Sequence, residues 1–130
     1  MVEFQARFRE TPACARLARE RIVDYARTCG FSAKELTEIG LAVGEALANA
    51  VEHGNVEEGE LSVLCRFEDG ILTIEVEDDG SGFDVSRQVA SVRDPQAVRG
   101  FGIEIMRAVM DGVQFEARGN RVCLRKQRER

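Results

Sequence analysis

Along this 130-residue chain, apolar residues recur first at every second position, then at every third or fourth position, and then at every second position again. A first strand with one buried face is predicted where apolar residues alternate with polar ones: Val2, Phe4, Ala6 and Phe8. Helical spacing follows from Ala13 to Cys29, and again from Ala33 to His53 without a proline. Ser32 and Glu35 fit a capping box at the start of the second segment. The pattern in the N-terminal half of the chain therefore predicts one strand and two helices.

Alternation with a period of two returns in the C-terminal half. Leu61 to Phe67 and Leu72 to Val76 predict two antiparallel strands, joined by a turn at Glu68-Asp69-Gly70. Ile103 to Val109 predicts a short helix, and a last hairpin turns at Gly119-Asn120. Together the elements predict an α/β (α+β) fold, a two-layer sandwich whose mixed, mostly antiparallel sheet of about five strands carries about three helices on one face. We expect residues 1–130 to form a single domain.

Composition narrows the possible functions. The chain is 44% hydrophobic and 32% charged, as a globular protein usually is. Its net charge of -5 would repel nucleic acid and anionic lipid, so neither is expected as a direct partner. The four cysteines lack metal-ligand spacing and no signal-peptide pattern is present, so we expect a cytoplasmic protein. Four basic residues are expected to form a solvated C-terminal tail: Arg125, Lys126, Arg128 and Arg130.

Three polar residues recur at every fourth position of the longest predicted helix: Glu45, Asn49 and His53. This spacing places them on one stripe, which small and apolar residues flank. Asn49 could offer a carbonyl oxygen to Mg²⁺, Glu45 could accept a proton as a general base, and His53 could donate to a phosphate oxygen. The same residues also fit a helix with a solvent-facing glutamate and asparagine and a histidine at its C-terminal end.

Two turns contain closely spaced glycines. Asp78-Asp79-Gly80-Ser81-Gly82 follows a strand, its glycines allow the backbone to approach a ligand, and its first aspartate could accept a hydrogen bond from a purine amino group. Arg99-Gly100-Phe101-Gly102-Ile103 precedes a helix and could present backbone N–H groups to a phosphate. Taken singly, the first also fits an acidic surface turn and the second a helix that begins at a glycine.

In this order and spacing the three motifs resemble the Bergerat-type ATP-binding fold of the GHKL (histidine-kinase-like) ATPases. Glu45 to Gly54 resembles the N box of that family, Asp78 to Gly82 its first glycine box, and Arg99 to Met106 its second. The resemblance covers nearly the whole chain, and Val85 to Val98 would be the lid. The short length and the glutamate at position 45 are most similar to the anti-sigma-factor or switch-protein serine kinases.

The resemblance implies ATP and Mg²⁺ as cofactors. Glu45 would be the catalytic base, Asn49 the Mg²⁺ ligand, and Asp78 the acceptor for the adenine amino group. Nine further residues would contact the nucleotide: His53, Gly80, Gly82, Phe83, Arg99, Gly100, Phe101, Gly102 and Ile103. Family members often have a threonine in the last hairpin that supports adenine, whereas this chain has Gly119-Asn120-Arg121-Val122 there.

The function implied by the resemblance is that of a serine/threonine-protein kinase that phosphorylates an anti-anti-sigma (switch) protein and sequesters a sigma factor. A homodimer is implied as well. Two other functions fit the same residues. One is a nucleotide-gated module that binds a partner without phosphotransfer, and the other is an ATP-hydrolysing fragment of a larger machine, with Glu45 activating water.

Overall fold

The fold comes from a computed structural model, which describes residues 3–54, 59–78, 101–116 and 120–129. The five strands of this part are β1 Phe4–Arg9, β2 Glu60–Glu68, β3 Ile71–Asp78, β4 Gly112–Phe115 and β5 Arg121–Gln127. The helices are α1 Pro12–Thr28, α2 Ala33–Gly54 and α3 Phe101–Val109. Each of these elements was predicted from the pattern of apolar residues, with small differences at the ends.

The helix boundaries follow from capping side chains. The hydroxyl of Thr11 accepts a hydrogen bond from the backbone N–H of Cys14 at 3.1 Å, so it caps α1. Gly30, which follows α1, has a φ of 89°, a backbone conformation that favours glycine. At the start of α2 the backbone N–H of Ser32 donates to Glu35 Oε1 at 2.8 Å, while the N–H of Glu35 donates to Ser32 Oγ at 3.2 Å. The predicted capping box is therefore present.

The sheet has the strand order β1-β2-β3-β5-β4, and each of these described pairings is antiparallel. The β2–β3 hairpin turns at Asp69 and Gly70, whose φ values of 53° and 78° match a two-residue turn of type I′. Because β5 pairs antiparallel with β3, the end of β3 is next to the start of β5, where Glu77 pairs with Arg121. This pairing brings Asp78 beside Asn120.

All three helices cover one face of the sheet, as predicted, and the core lies between the two layers. Alternate residues of the inner strands are buried there: Leu61, Val63, Cys65, Leu72, Ile74, Val76, Val122 and Leu124. From α2 the core receives Ile39, Val43 and Leu47, and α3 packs beside α2 through Ile103 and Met106. The position of α3 against α2 is what defines the candidate site.

The prediction of a solvated basic C-terminus was wrong for Lys126, whereas Arg128 is exposed although its guanidinium makes contacts. Lys126 is only 8% exposed, and its ammonium donates to Glu38 Oε1 at 3.2 Å and to the carbonyl oxygen of Val109. The guanidinium of Arg128 donates to the carbonyl oxygen of Cys29 and lies 5.1 Å from the centre of the Phe67 ring. These cations are held because carbonyl, carboxylate and aromatic groups surround them. Arg125 is exposed, and Arg130 lies outside the described residues.

Candidate nucleotide-binding site

The second half of α2 carries two of the predicted site residues on one stripe. Asn49 is 7% exposed, and Glu45, one turn earlier, is half-buried. Ala46 and Ala50 are buried on the same side of the helix. Asn49 therefore faces the packed interior, which excludes a solvent-facing position for this residue, whereas Glu45 is partly exposed.

Glu45 lies against the start of α3. A Cβ atom added to Gly102 would be 2.9 Å from Glu45 Oε2 and 3.7 Å from Glu45 Cδ, so a side chain at position 102 would push this carboxylate away from its present position. The first backbone N–H groups of a helix have no partner within the helix, and they attract negative charge. Residues from the N box and the second glycine box therefore meet here, although they are 57 positions apart in the chain.

Asn49 and Asp78 meet in a second place, a narrow cleft between α2 and the sheet. Its volume is about 10 Å³, and its lining is Ala46, Asn49, Ala50, Val76, Asp78, Phe115, Asn120, Arg121 and Val122. Asp78, the last residue of β3, is 5% exposed. Its backbone N–H donates to the carbonyl oxygen of Asn120 at 2.9 Å, and Asn120 Nδ2 donates to the carbonyl oxygen of Asp78 at 3.5 Å.

Within the described ranges, two buried side-chain atoms have no hydrogen-bond partner, Asn49 Nδ2 and Asn120 Oδ1. Both residues line the cleft that contains Asp78. A buried polar atom without a partner costs about 1 to 3 kcal/mol, so such atoms are usually satisfied by a ligand or a water molecule. Asn49 Nδ2 needs an acceptor and Asn120 Oδ1 needs a donor, and a nucleotide carries both kinds of group. The side-chain oxygen atoms of Asn49, Glu45 and Asp78 are of the kind that a divalent cation prefers.

The other predicted site residues are located only in part. His53 lies in α2, but its side chain is outside what the structure describes, and the side chain of Phe101 at the start of α3 is outside it as well. The side chain of Ile103 is fully buried in the core, so only its backbone could contact a ligand. Five predicted residues lie outside the described ranges: Gly80, Gly82, Phe83, Arg99 and Gly100.

Asn120 was not among the predicted site residues. The sequence did mark its position, because the last hairpin departs there from the threonine that related proteins often have. The cleft adds the reason to include it, since Asn120 touches Asp78 and carries one of the two unsatisfied atoms. A sequence pattern alone does not tell which side chain of a hairpin end turns towards a neighbouring strand.

A larger groove lies elsewhere, between α1 and α2. Its volume is about 810 Å³, and its lining includes Arg16, Arg19, Arg27, Leu36 and Leu41. It contains none of the predicted site residues, and the two unsatisfied polar atoms belong to residues that line the smaller cleft and not this groove. No helix of the described ranges is long and apolar enough to cross a membrane.

Comparison with known families agrees with this geometry. The chain matches the histidine kinase-like ATPase domain over residues 8–126, which is most of its length. The chain therefore belongs to the family of histidine kinase-like ATPase domains.

Single relatives within this family have names that are more specific than the family description. An anti-sigma F factor of Geobacillus stearothermophilus is 34% identical over 110 residues, covering 80% of this chain and 75% of the relative. An anti-sigma F factor of Clostridium acetobutylicum is 28% identical over 117 residues, covering 84% and 82%. A serine-protein kinase RsbW of Listeria innocua is 27% identical over 114 residues, covering 80% and 73%.

A solved structure supports the fold. The crystal structure of the RsbU and RsbW domains of a Mycobacterium tuberculosis protein matches with a TM-score of 0.71 at 16% identity. The match covers 99% of this chain and 32% of that one, so this chain corresponds to about a third of the larger protein. The α+β sandwich predicted from the sequence is therefore confirmed.

Proposed function

We propose that this protein is an Mg-ATP-dependent serine kinase of the anti-sigma-factor type. The single observation that carries the proposal is the position of Glu45. Its carboxylate lies against Gly102 at the start of α3, one helical turn from Asn49, which lines the cleft with Asp78. Along α2 and β3, Glu45 would thus be the general base, Asn49 the metal ligand and Asp78 the carboxylate that recognises adenine. The family and the names of the relatives support the same activity.

The binding roles follow from the chemistry of each group. Asp78, which is 5% exposed, would accept the hydrogen bond of the adenine amino group. Asn49 would offer its amide oxygen to Mg²⁺, and the bound ion would neutralise charge on the phosphates. The backbone N–H groups at the start of α3, at Phe101, Gly102 and Ile103, would face the terminal phosphate. Contacts to the phosphates and the lid are proposed for His53, Gly80, Gly82, Phe83, Arg99 and Gly100.

Glu45 would act on the hydroxyl group of the substrate serine. As the serine oxygen forms its bond to the γ-phosphorus, Glu45 accepts the hydroxyl proton, and the bond from the γ-phosphorus to the bridging oxygen breaks so that ADP leaves. Gly102 keeps the space around that carboxylate free, since a side chain at this position would meet it.

The partners proposed here follow from the relatives. Two of them are called anti-sigma F factors and one a serine-protein kinase. We propose that this protein holds a sigma factor, phosphorylates an anti-anti-sigma (switch) protein on serine, works as a homodimer and resides in the cytoplasm. A net charge of -5 would favour partners with basic contact surfaces through electrostatic steering.

The test is a phosphotransfer assay with Mg-ATP and candidate switch proteins. Wild-type protein should form phosphoserine on one of them, and Glu45→Ala should lower the rate by about 10²- to 10⁴-fold while binding ATP normally. The matched control is Glu68→Ala, which removes an exposed carboxylate from the hairpin at the opposite end of β3 and should leave the rate unchanged. Wild-type protein that binds Mg-ATP and a partner but transfers no phosphate would instead be a nucleotide-gated binding module.

A further inference from the structure

Three successive residues of β5 hold the C-terminal end of α3. The carbonyl oxygen of Arg125 accepts a hydrogen bond from the N–H of Asp111 at 2.9 Å, and the N–H of Gln127 donates to Asp111 Oδ2 at 2.7 Å. Between them, the ammonium of Lys126 donates to the carbonyl oxygen of Val109, the last residue of α3. The C-terminal end of α3 is therefore fixed to β5.

Lys126 also joins α3 to α2. The residue is 8% exposed, and its ammonium donates to Glu38 Oε1 of α2 at 3.2 Å. The last carbonyl groups of a helix have no partner within the helix and carry partial negative charge, so a cation is favourable at this end of α3. Because the ammonium is largely shielded from water, its attraction to Glu38 is weakened less than on the surface. One side chain thus connects α2, α3 and β5.

The N-terminal end of the same helix lies at the proposed site. Gly102 lies there against Glu45 of α2, since a Cβ atom at position 102 would be 2.9 Å from Glu45 Oε2. Helix α3 has 9 residues and is therefore about 13 Å long. A tilt that begins at one end of so short a helix moves the other end as well, because the backbone hydrogen bonds keep the helix stiff.

From this arrangement we infer that Lys126 is a positioning residue of the proposed phosphotransfer site. It holds one end of α3 against α2, so that the backbone N–H groups at the other end keep their place beside Glu45 and the terminal phosphate. The inference rests on the proposed function, since it concerns the nucleotide of the same site. A misplacement of about 1 Å between reacting groups can slow a reaction about 10²-fold, so a distant support of this kind matters for the rate.

The alternative is that Lys126 only stabilises the fold. The two explanations differ in what they predict for ATP and ADP, which differ in the terminal phosphate alone. A side chain that only stabilises the fold would change the binding of both nucleotides in equal proportion or of neither. A side chain that positions the start of α3 would change ATP binding more than ADP binding, and it would change the rate of phosphotransfer even at saturating ATP.

The experiment measures the dissociation constants of Mg-ATP and Mg-ADP and the rate of phosphotransfer at saturating ATP. Lys126→Met keeps a stem of similar length and removes the ammonium. It should weaken ATP binding by about 3- to 10-fold, change ADP binding by less than about 2-fold, and lower the rate by about tenfold or more. The matched control is Arg125→Met, which removes the same charge from the neighbouring position of β5, where the side chain is exposed, and should change none of the three values.

Two further variants separate position from stability. Lys126→Arg keeps the positive charge and the hydrogen-bond donors, so it should recover part of the rate and of the ATP affinity that Lys126→Met loses. Glu38→Gln weakens the same contact without removing the ammonium, and it is the variant to use if Lys126→Met does not fold. It should weaken ATP binding relative to ADP binding by about 2- to 5-fold.

Each outcome has a separate meaning. If Lys126→Met loses ATP affinity relative to ADP and transfers phosphate more slowly, and Lys126→Arg recovers part of both, the inference holds. If either the ratio of the two dissociation constants or the rate stays at its wild-type value, Lys126 serves the fold alone and the inference is overturned, while the proposed function stands. If wild-type protein binds neither nucleotide or transfers no phosphate, the proposed function itself fails and this inference fails with it.

Discussion

Helix α2 buries a polar side chain near each of its ends, and the two side chains differ in how far their hydrogen bonds are satisfied. Near the N-terminal end Glu35 is 1% exposed, and both of its oxygens accept hydrogen bonds at 2.8 Å, from the backbone N–H groups of Ser32 and Glu129. Towards the C-terminal end Asn49 is 7% exposed, and its Nδ2 has no partner within the described part of the chain. The hydrogen bonds of Glu35 are therefore satisfied without a ligand, whereas Asn49 Nδ2 still needs an acceptor.

The difference separates structural polar groups from functional ones. A buried carboxylate with two backbone donors, at Ser32 and Glu129, fixes the C-terminal segment to the start of α2 and stabilises the fold. A buried amide with an unsatisfied donor destabilises the folded chain until something binds to it. The comparison therefore predicts that substitutions at the two ends act on different quantities: stability at the Glu35 end, and nucleotide affinity at the Asn49 end.

The largest effect on stability is expected for Glu35→Ala. It removes the capping-box carboxylate and leaves two partly buried backbone N–H groups without their acceptor, so the free energy of unfolding should fall by about 1 to 3 kcal/mol. Urea unfolding measures it. ATP affinity, measured where the variant is still folded, should not change; a loss of affinity comparable to that of a cleft variant would break the division between the two ends.

Acid should weaken the Glu35 end as well. Burial pushes the pKa of Glu35 up, but hydrogen bonds from Ser32 and Glu129 outweigh burial, and the net pKa lies below its ordinary value of 4.5. A lowered pKa in the folded protein means that the stabilisation is present above that ordinary value and is lost as the pH falls through the lowered pKa. Unfolding by urea at a series of acidic pH values should therefore give a steeper loss of stability for wild-type protein than for Glu35→Gln. Equal slopes would contradict the role of this carboxylate.

Asn49→Leu should change the free energy of unfolding in the opposite direction. Leucine is similar in size and needs no hydrogen bond, so removing the unsatisfied amide should raise the free energy of unfolding by about 1 kcal/mol. The measurement is thermal or urea unfolding in the absence of nucleotide. A clear loss of stability would show that Asn49 serves the fold and not a ligand.

The smallest effects on stability are expected at two helix glycines, Gly44 and Gly102. A Cβ atom at Gly44 would make ordinary contact with the side chain of Arg19 at 3.6 Å, so Gly44→Ala should stabilise by about 0.5 to 1 kcal/mol through helix propensity. At Gly102 the same atom would be 2.9 Å from Glu45 Oε2 and would displace the carboxylate. Gly102→Ala should therefore gain little stability and slow phosphotransfer by about tenfold or more. If Gly44→Ala and Gly102→Ala changed stability and the rate of phosphotransfer by the same amounts, the contact between position 102 and Glu45 would be refuted.

Most of the fold could be predicted because local rules determined it. The capping box at Ser32, the paired positive φ values at Asp69 and Gly70, and the period of the apolar residues each act within a few positions of the chain. The stripe of Glu45 and Asn49 was predicted for the same reason, since helical spacing alone puts them on one side.

The rest depends on contacts between distant parts of the chain. Lys126 looks like part of an exposed basic tail, and only the position of Glu38 and of the end of α3 makes it a buried cation. Asn120 looks like an ordinary turn residue, and only the pairing of β5 with β3 places it against Asp78. The spacing of neighbouring residues does not reveal the positions of Lys126 and Asn120. Their partners lie 42 or more positions away in the chain or on another element.

The most direct test is how much Mg-ATP stabilises the folded protein. At a nucleotide concentration a hundred times the dissociation constant, wild-type protein should gain about 2.7 kcal/mol in its free energy of unfolding. Glu35→Gln should gain the same amount from a lower starting value, and Asn49→Leu should gain almost nothing at that nucleotide concentration. An Asn49→Leu variant that gains as much as the wild-type protein would contradict the assignment of the nucleotide site.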